Sequence, residues 1–167
     1  LLFGNSITDR TKSMKKMDGF IDMYWDNSTG KLWLEISKFD HEILYVNSIT
    51  AGIGSNDIGL DRGQLGSDRI VYFHRVGPKI LLIQPNYRYR AITNDHNEKT
   101  SVGDGFAKST LWGFIVEVEE EGRVLVDATD FFLQDAHGIV ARLKNQKMGN
   151  YKVDKSRSAI HLSATMN

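Results

Sequence analysis

The chain has 167 residues, 41% apolar and 25% charged, with Lys+Arg and Asp+Glu both at 21 and no cysteine. That length suits one domain able to bury about 70% of its unfolded surface. Zero formal charge argues against a nucleic-acid footprint or a basic membrane-surface helix, and the missing cysteines remove disulfides, thiolate zinc sites and cysteine nucleophiles.

No apolar run approaches the roughly twenty residues of a membrane span, so membrane insertion is not expected. The opening Leu1-Leu2-Phe3-Gly4 lacks the basic-then-apolar order of a signal peptide. Starting without Met and stopping at Met166-Asn167, the chain reads as a domain excised from a larger protein.

Residues 1–17 form a polar and basic lead-in, and residues 18–167 the mainly β body. Thr8 or Asp9 is a candidate cap for a short helix with Met14 and Met17 on one side. From Phe20 the period changes to two. Phe20–Trp25 and Lys31–Ile36, separated by Asp26-Asn27-Ser28-Thr29-Gly30, predict a hairpin. Glu42–Ile49 predicts a third strand and so an antiparallel meander. Arg69–Arg75 and Lys79–Gln84 flank Val76-Gly77-Pro78 as a second hairpin, and Pro85 ends its return strand. Residues 93–105 read as a polar loop. Leu111–Glu119 and Arg123–Asp127 make a third hairpin across Glu120-Glu121-Gly122. A helix is predicted over Ala136–Gln146 with Asp135 as its N-cap, and short strands over Tyr151–Val153 and Ala159–Leu162. The expected class is α+β: mainly antiparallel β hairpins with one or two packed helices.

Between the third and fourth strands lies Ala51–Gly66, AGIGSNDIGLDRGQLG, in which five glycines alternate with apolar anchors and polar groups. Ordered loops longer than about twelve residues tend to be functional or to pack on something. The dinucleotide fingerprint fails there, because Asp57 stands at the third glycine and no amphipathic helix follows. A calcium site using Asp57, Asp61 and Asp68 is an alternative to simple Asx turns, although Arg62 breaks the EF-hand register. The loop residues Gly54, Ser55, Asn56, Asp57, Asp61, Arg62 and Gln64 are the candidate docking or binding surface.

Other constellations have plainer readings. Asp127, Asp130, Asp135 and His137 sit close in VDATDFFLQDAH, as acid–base or metal groups would, but a strand end, a helix entry, an N-cap and a helix surface account for them, and that is the reading adopted. Ser13-x-x-Lys16, Ser55-Asn56-Asp57 and Lys99-Thr100-Ser101 follow the chain order of penicillin-recognising serine enzymes, with the wrong second and third triplets. Tyr87-Arg88-Tyr89-Arg90 alternates as a half-buried strand would. No His-Glu-x-x-His occurs, so neither catalytic nor metal-ligating residues are assigned.

Six segments, MDGFIDMYWDNSTGKLWLEI (17–36), AGIGSNDIGLDRGQLG (51–66), RVGPKILLIQPNYRYRA (75–91), LWGF (111–114), VLVDATDFFLQDAHG (124–138) and YKVDKSRSAIHL (151–162), come in an order that resembles one family. It is the non-catalytic domain lying N-terminal to the catalytic domain in a group of large bacterial zinc-dependent metalloproteases. The resemblance implies an exported, extracytoplasmic protein whose zinc and His-Glu-x-x-His helix lie downstream, with no cofactor in this fragment. It further implies a domain of unknown function, and the loop's mixture of anchors and charges, with no catalytic set in the chain, points to one that scaffolds or docks on the catalytic domain of the same polypeptide. The alternative is an independent peptide- or glycan-binding module using the glycine loop and a β face bearing Trp25, Trp33 and Trp112.

Overall fold

A computed structural model describes residues 6–49, 51, 60–89 and 91–165. Eight strands form one antiparallel sheet: β1 (Lys15–Met17), β2 (Asp22–Asp26), β3 (Lys31–Ile36), β4 (Ile43–Tyr45), β5 (Arg69–Val76), β6 (Lys79–Gln84), β7 (Ser109–Glu120) and β8 (Arg123–Asp127). Their order across the sheet is β1-β2-β3-β8-β7-β6-β5-β4. Short helices α1 (Ile7–Thr11), α2 (His96–Gly105), α3 (Thr129–Phe132) and α4 (Ile139–Asn145) decorate it, so the α+β, mainly antiparallel class is what forms. Among the described residues no helix is long and apolar enough to cross a membrane.

Turn chemistry closes the three predicted hairpins. At the β2–β3 turn, Asp26 Oδ1 accepts both the N–H and the hydroxyl of Ser28, at 2.9 and 2.6 Å. Gly77 begins the β5–β6 turn at φ 57°. Glu121 and Gly122 both take positive φ, 51° and 76°, which matches the right-handed twist of the strands they join.

Successive strands pair as a meander through β1–β3 and again through β4–β8, but the 42–49 segment does not follow β3 in it as expected. β8, not the 42–49 segment, lies beside β3, with Trp33 opposite Asp127 and Ile36 opposite Val124. All five residues from Leu32 to Ile36 are buried, so both faces of β3 are covered. The neighbour of such a strand must be equally buried; Val124, Leu125 and Val126 are fully so, whereas Leu44 stays 66% exposed. The 42–49 stretch therefore contributes only the short β4, at the far edge against β5.

β7 is the corner of the sheet. Its first part, Ser109–Ile115, pairs with β6, and Val116–Glu120 pairs with β8, with a register shift between Val116 and Val118. A bulge of this kind bends a strand and lets it pass from one packed sheet to another. The link after β3 demands such a bend. Asp40 already donates its N–H to the Phe73 carbonyl of β5 at 2.8 Å, four residues beyond Ile36. Four residues reach about 14 Å at most, whereas the five strand spacings from β3 to β4 would need about 24 Å in a flat sheet. The two halves therefore fold over one another, and Met23, Leu34, Ile36, Phe73, Leu82 and Phe114 join in one core between them.

α3 supplies the plug of that core. Asp127 Oδ1 accepts the N–H and hydroxyl of Thr129, and Leu32 N–H donates to Thr129 Oγ1 at 3.0 Å. This pins Phe131 against Tyr45, Trp112 and Phe114, with ring centroids 5.6 to 5.9 Å away. The outer face carries a second cluster of Ile7, Tyr24, Trp33, Val118 and Leu125 beneath α1. There the Tyr24 hydroxyl and the Arg123 guanidinium each donate to the buried Glu35 carboxylate at 2.6 Å.

Several local expectations change. Ser6, rather than Thr8 or Asp9, caps α1, and Met17 lies in β1 instead of on that helix. Residues 93–105 contain α2, which Asp95 caps and which buries no side chain; a helix with nothing to bury shows no apolar period. Tyr87–Tyr89 form a turn rather than a strand, and Arg90 lies outside the described residues. The 151–153 and 159–162 stretches pair with no strand; 3₁₀ turns occupy Lys155–Arg157 and Leu162–Ala164. The DKSRSA motif is such a turn, held by Asp154 accepting from the Ser156 N–H, the Ser156 hydroxyl and Arg157 Nε.

Truncating the plug, Phe131→Ala, is expected to cost about 3–5 kcal/mol, read by urea unfolding. Burial first, and then the Glu35 carboxylate, push the Tyr24 phenol up to about 12 from 10.0. A phenol raised on folding contributes stability that is intact below pH 10 and lost as pH climbs towards 12. Tyr24→Phe should flatten the fall in unfolding free energy across that window; an unchanged slope would remove Tyr24 as its source.

Candidate functional site

The glycine-rich stretch is clasped at its base. Ile49 N–H donates to the Gln64 carbonyl at 2.9 Å, Gly63 N–H to the Ile49 carbonyl at 2.6 Å and Gly66 N–H to the Asn47 carbonyl at 2.6 Å. Ser48 and Leu65 form an isolated antiparallel bridge. The residues expected to prolong the third strand thus zip onto the end of the loop instead. Gly63, at φ 78°, turns the chain inside this neck, where the Asp61 N–H also meets Gln64 Oε1 at 3.3 Å. Of the candidate docking residues, Asp61 and Arg62 are exposed and Gln64 is half-buried. Gly54, Ser55, Asn56 and Asp57 lie outside the described residues.

The neck has a partner. Asn47 Nδ2 donates to the Ala136 carbonyl at 3.1 Å, tying it to the loop between α3 and α4. Gly66 permits the approach, because a Cβ there would stand 2.6 Å from the Asn47 amide. Between the two segments opens a cleft of about 660 Å³, within the range of ligand pockets. Gln64, Leu65 and Gly66 form one wall and Gln134 to Gly138 the other, over a floor of Tyr45, Leu111 and Phe131. Arg69 from the start of β5 and Arg142 from α4 also line it. Burial pushes the Tyr45 phenol up, and the neighbouring Arg69 charge opposes that shift.

The acidic cluster read from VDATDFFLQDAH is divided. Asp127 is bound to Lys31 at 2.7 Å as well as to Thr129. Burial works to raise its pKa, but Lys31 and Thr129 outweigh burial and hold it below the usual carboxylate range. Asp127 and Asp130 line a second depression of about 380 Å³, beside Trp112 and Glu117, and Asp130 pairs with Lys155 at 2.9 Å. Asp135 and His137 belong to the first cleft. Gly138, not Asp135, is the N-cap of α4, although Asp135 holds the helix start from four residues before Ile139: its two oxygens accept the N–H groups of Ile139 and Val140 at 2.9 and 2.8 Å. The helix accordingly begins at Ile139 rather than Ala136. Among the described residues no group of three or more His, Asp and Glu is placed to hold a metal ion.

The three tryptophans do not make one exposed platform. Trp33 is buried on the outer face beneath Arg10, 4.5 Å from the guanidinium, while Trp25 and Trp112 pack on the inner core. Arg69, Arg142 and Tyr45, which the sequence reading did not single out, line the cleft instead. No local signal marks them, since each reads as an ordinary residue of its strand or helix.

A family model described as a domain of unknown function (DUF5117) matches residues 63–167, and another domain of unknown function (DUF5118) matches residues 5–52. No curated protein and no solved structure matches. The two matched stretches meet at the glycine-rich loop, yet they share one sheet: β3 pairs with β8, and β4 with β5.

Gly66→Ala must displace the Asn47 amide and with it the bond to Ala136. Amide exchange at residues 134–138 is expected to quicken at least about fivefold while the β7–β8 pairs keep their protection. Asn47→Ala should reproduce the pattern.

Proposed function

The chain belongs to the family described as a domain of unknown function (DUF5117), and we propose that it serves as a non-catalytic docking module. In this reading it packs on the catalytic domain of an exported bacterial zinc-dependent metallopeptidase. One observation carries the docking role: the end of the glycine-rich loop and the Asp135–His137 segment, far apart in sequence, converge on a single polar cleft. The loop has its ends fastened and a helix-bearing segment tied to its base by Asn47, so its described end, residues 60–66, presents a surface of defined shape.

The identity of the neighbour rests on the family resemblance of GSNDIGLDRGQ and DKSRSA. Zinc, its ligands and the catalytic glutamate then belong to that neighbouring domain, and the parent works outside the cytoplasm. Support for a non-catalytic role comes from the carboxylates. Asp127 is committed to Lys31 and Thr129, Asp130 to Lys155 and Asp135 to two backbone N–H groups. An acid engaged in this way is poorly placed to exchange a proton with a substrate.

The test compares the parent polypeptide with and without residues 1–167. Deletion is expected to lower peptide cleavage at least about tenfold at equal zinc content, or to leave the catalytic domain unfolded. Unchanged folding, zinc content and cleavage would overturn the docking role. Asp130→Asn in the intact parent should keep cleavage within about twofold, whereas a loss of a hundredfold would make the segment an acid–base site.

A further inference from the structure

The cleft has a definite charge character. Among the described residues, Arg69, Arg142 and His137 line it together with one carboxylate, Asp135. Both Asp135 oxygens are already occupied by the N–H groups of Ile139 and Val140. Among the described residues no carboxylate forms an ion pair with Arg69, which is half-buried at the start of β5. The amides add donors: Gln64 spends its oxygen on the Asp61 N–H, leaving its NH₂ group available. The apolar surface is arranged around this donor set. Leu65 stands 69% exposed on the rim, and Tyr45 and Phe131, 5.9 Å apart between centroids, make an aromatic floor.

We infer that this cleft recognises an acidic polypeptide segment, in which an Asp or Glu side chain neighbours a large apolar residue. Resting on the docking reading above, the proposal assigns that segment to the neighbouring domain of the same polypeptide. A planar guanidinium holds a carboxylate through two parallel N–H···O bonds, so Arg69 grips the acidic side chain. The apolar side chain lies between Leu65 and the Tyr45–Phe131 floor, where it leaves water. A basic or neutral segment would forgo the guanidinium bonds and strand the charge of Arg69 beneath it.

The experiment titrates the 167-residue chain with an acetylated, amidated octapeptide alternating Glu and Leu, followed by backbone amide shifts. Controls are the Gln/Leu and Lys/Leu counterparts and inorganic phosphate. The acidic peptide should shift residues 64–69 and 134–142 and bind at least about tenfold more tightly than the Gln/Leu peptide, with affinity falling as salt is raised. Arg69→Gln should weaken it about tenfold or more. The rim variant Leu65→Ser is expected to weaken it as well, which covers any folding defect from the change in β5. No binding of the acidic peptide, equal binding of the Gln/Leu peptide, an Arg69→Gln variant that binds normally, or phosphate competing at equal concentration would each overturn the proposal.

The two readings fail differently. If deleting residues 1–167 from the parent abolishes cleavage but the acidic peptide does not bind, docking stands and the acidic recognition element falls. If the peptide binds as described but deletion changes nothing, the cleft remains an acidic-segment site and the docking role falls.

Discussion

Strand β7 belongs to both halves of this protein, and the rest of the structure follows from that. Its first part completes the half-sheet of β4, β5 and β6, and its second part completes that of β1, β2, β3 and β8. A straight strand could not do this while keeping the two apolar faces together. The register shift between Val116 and Val118 bends it, and the halves close on a common core that includes Phe73, Phe114 and Val126. The alternative, a flat sheet with one bare apolar face, would leave more hydrophobic area in water than helices as short as these could cover.

Closure of the sheet also makes the cleft. Phe131 seals the core where Tyr45 of β4 comes opposite Trp112 and Phe114 of β7, so the floor of the cleft is the outer side of the core plug. The same short segment then changes its task along its length. Asp127 and Thr129 secure α3 to β3, Phe131 fills the core, and Gln134 to Gly138 line the cleft. The clasped neck of the glycine-rich loop faces this wall and is tied to it by Asn47. The cleft is thus supported by the core at its floor and by backbone pairing at its side.

The two family-matched stretches are joined by the same geometry. β3 lies in the first stretch and β8 in the second, and burial on both faces makes β3 depend on β8 as a neighbour. The glycine-rich loop is the covalent link between two stretches that complete one sheet. Its anchoring residues lie on both sides of the junction: Asn47 and Ile49 before it, Gly63 and Gly66 after it.

Local chemistry was readable along the chain. Period-two stretches around Asp26–Gly30, Gly77-Pro78 and Glu121-Gly122 announced the three hairpins, because strand alternation and turn residues are properties of neighbours in sequence. Asp135 declared the start of a helix, since a carboxylate ahead of free N–H groups needs little tertiary help. Helix α2 escaped notice because it buries nothing, and Tyr87–Tyr89 alternated without a strand to join. The adjacency of β3 and β8, the bend in β7 and the division of the Asp127–His137 cluster between two depressions were matters for tertiary structure. So was the meeting of Arg69, Arg142 and Tyr45 in one cleft. Each depends on which buried surfaces find each other across tens of residues, and periodicity records only that a face is apolar, not which face it will meet.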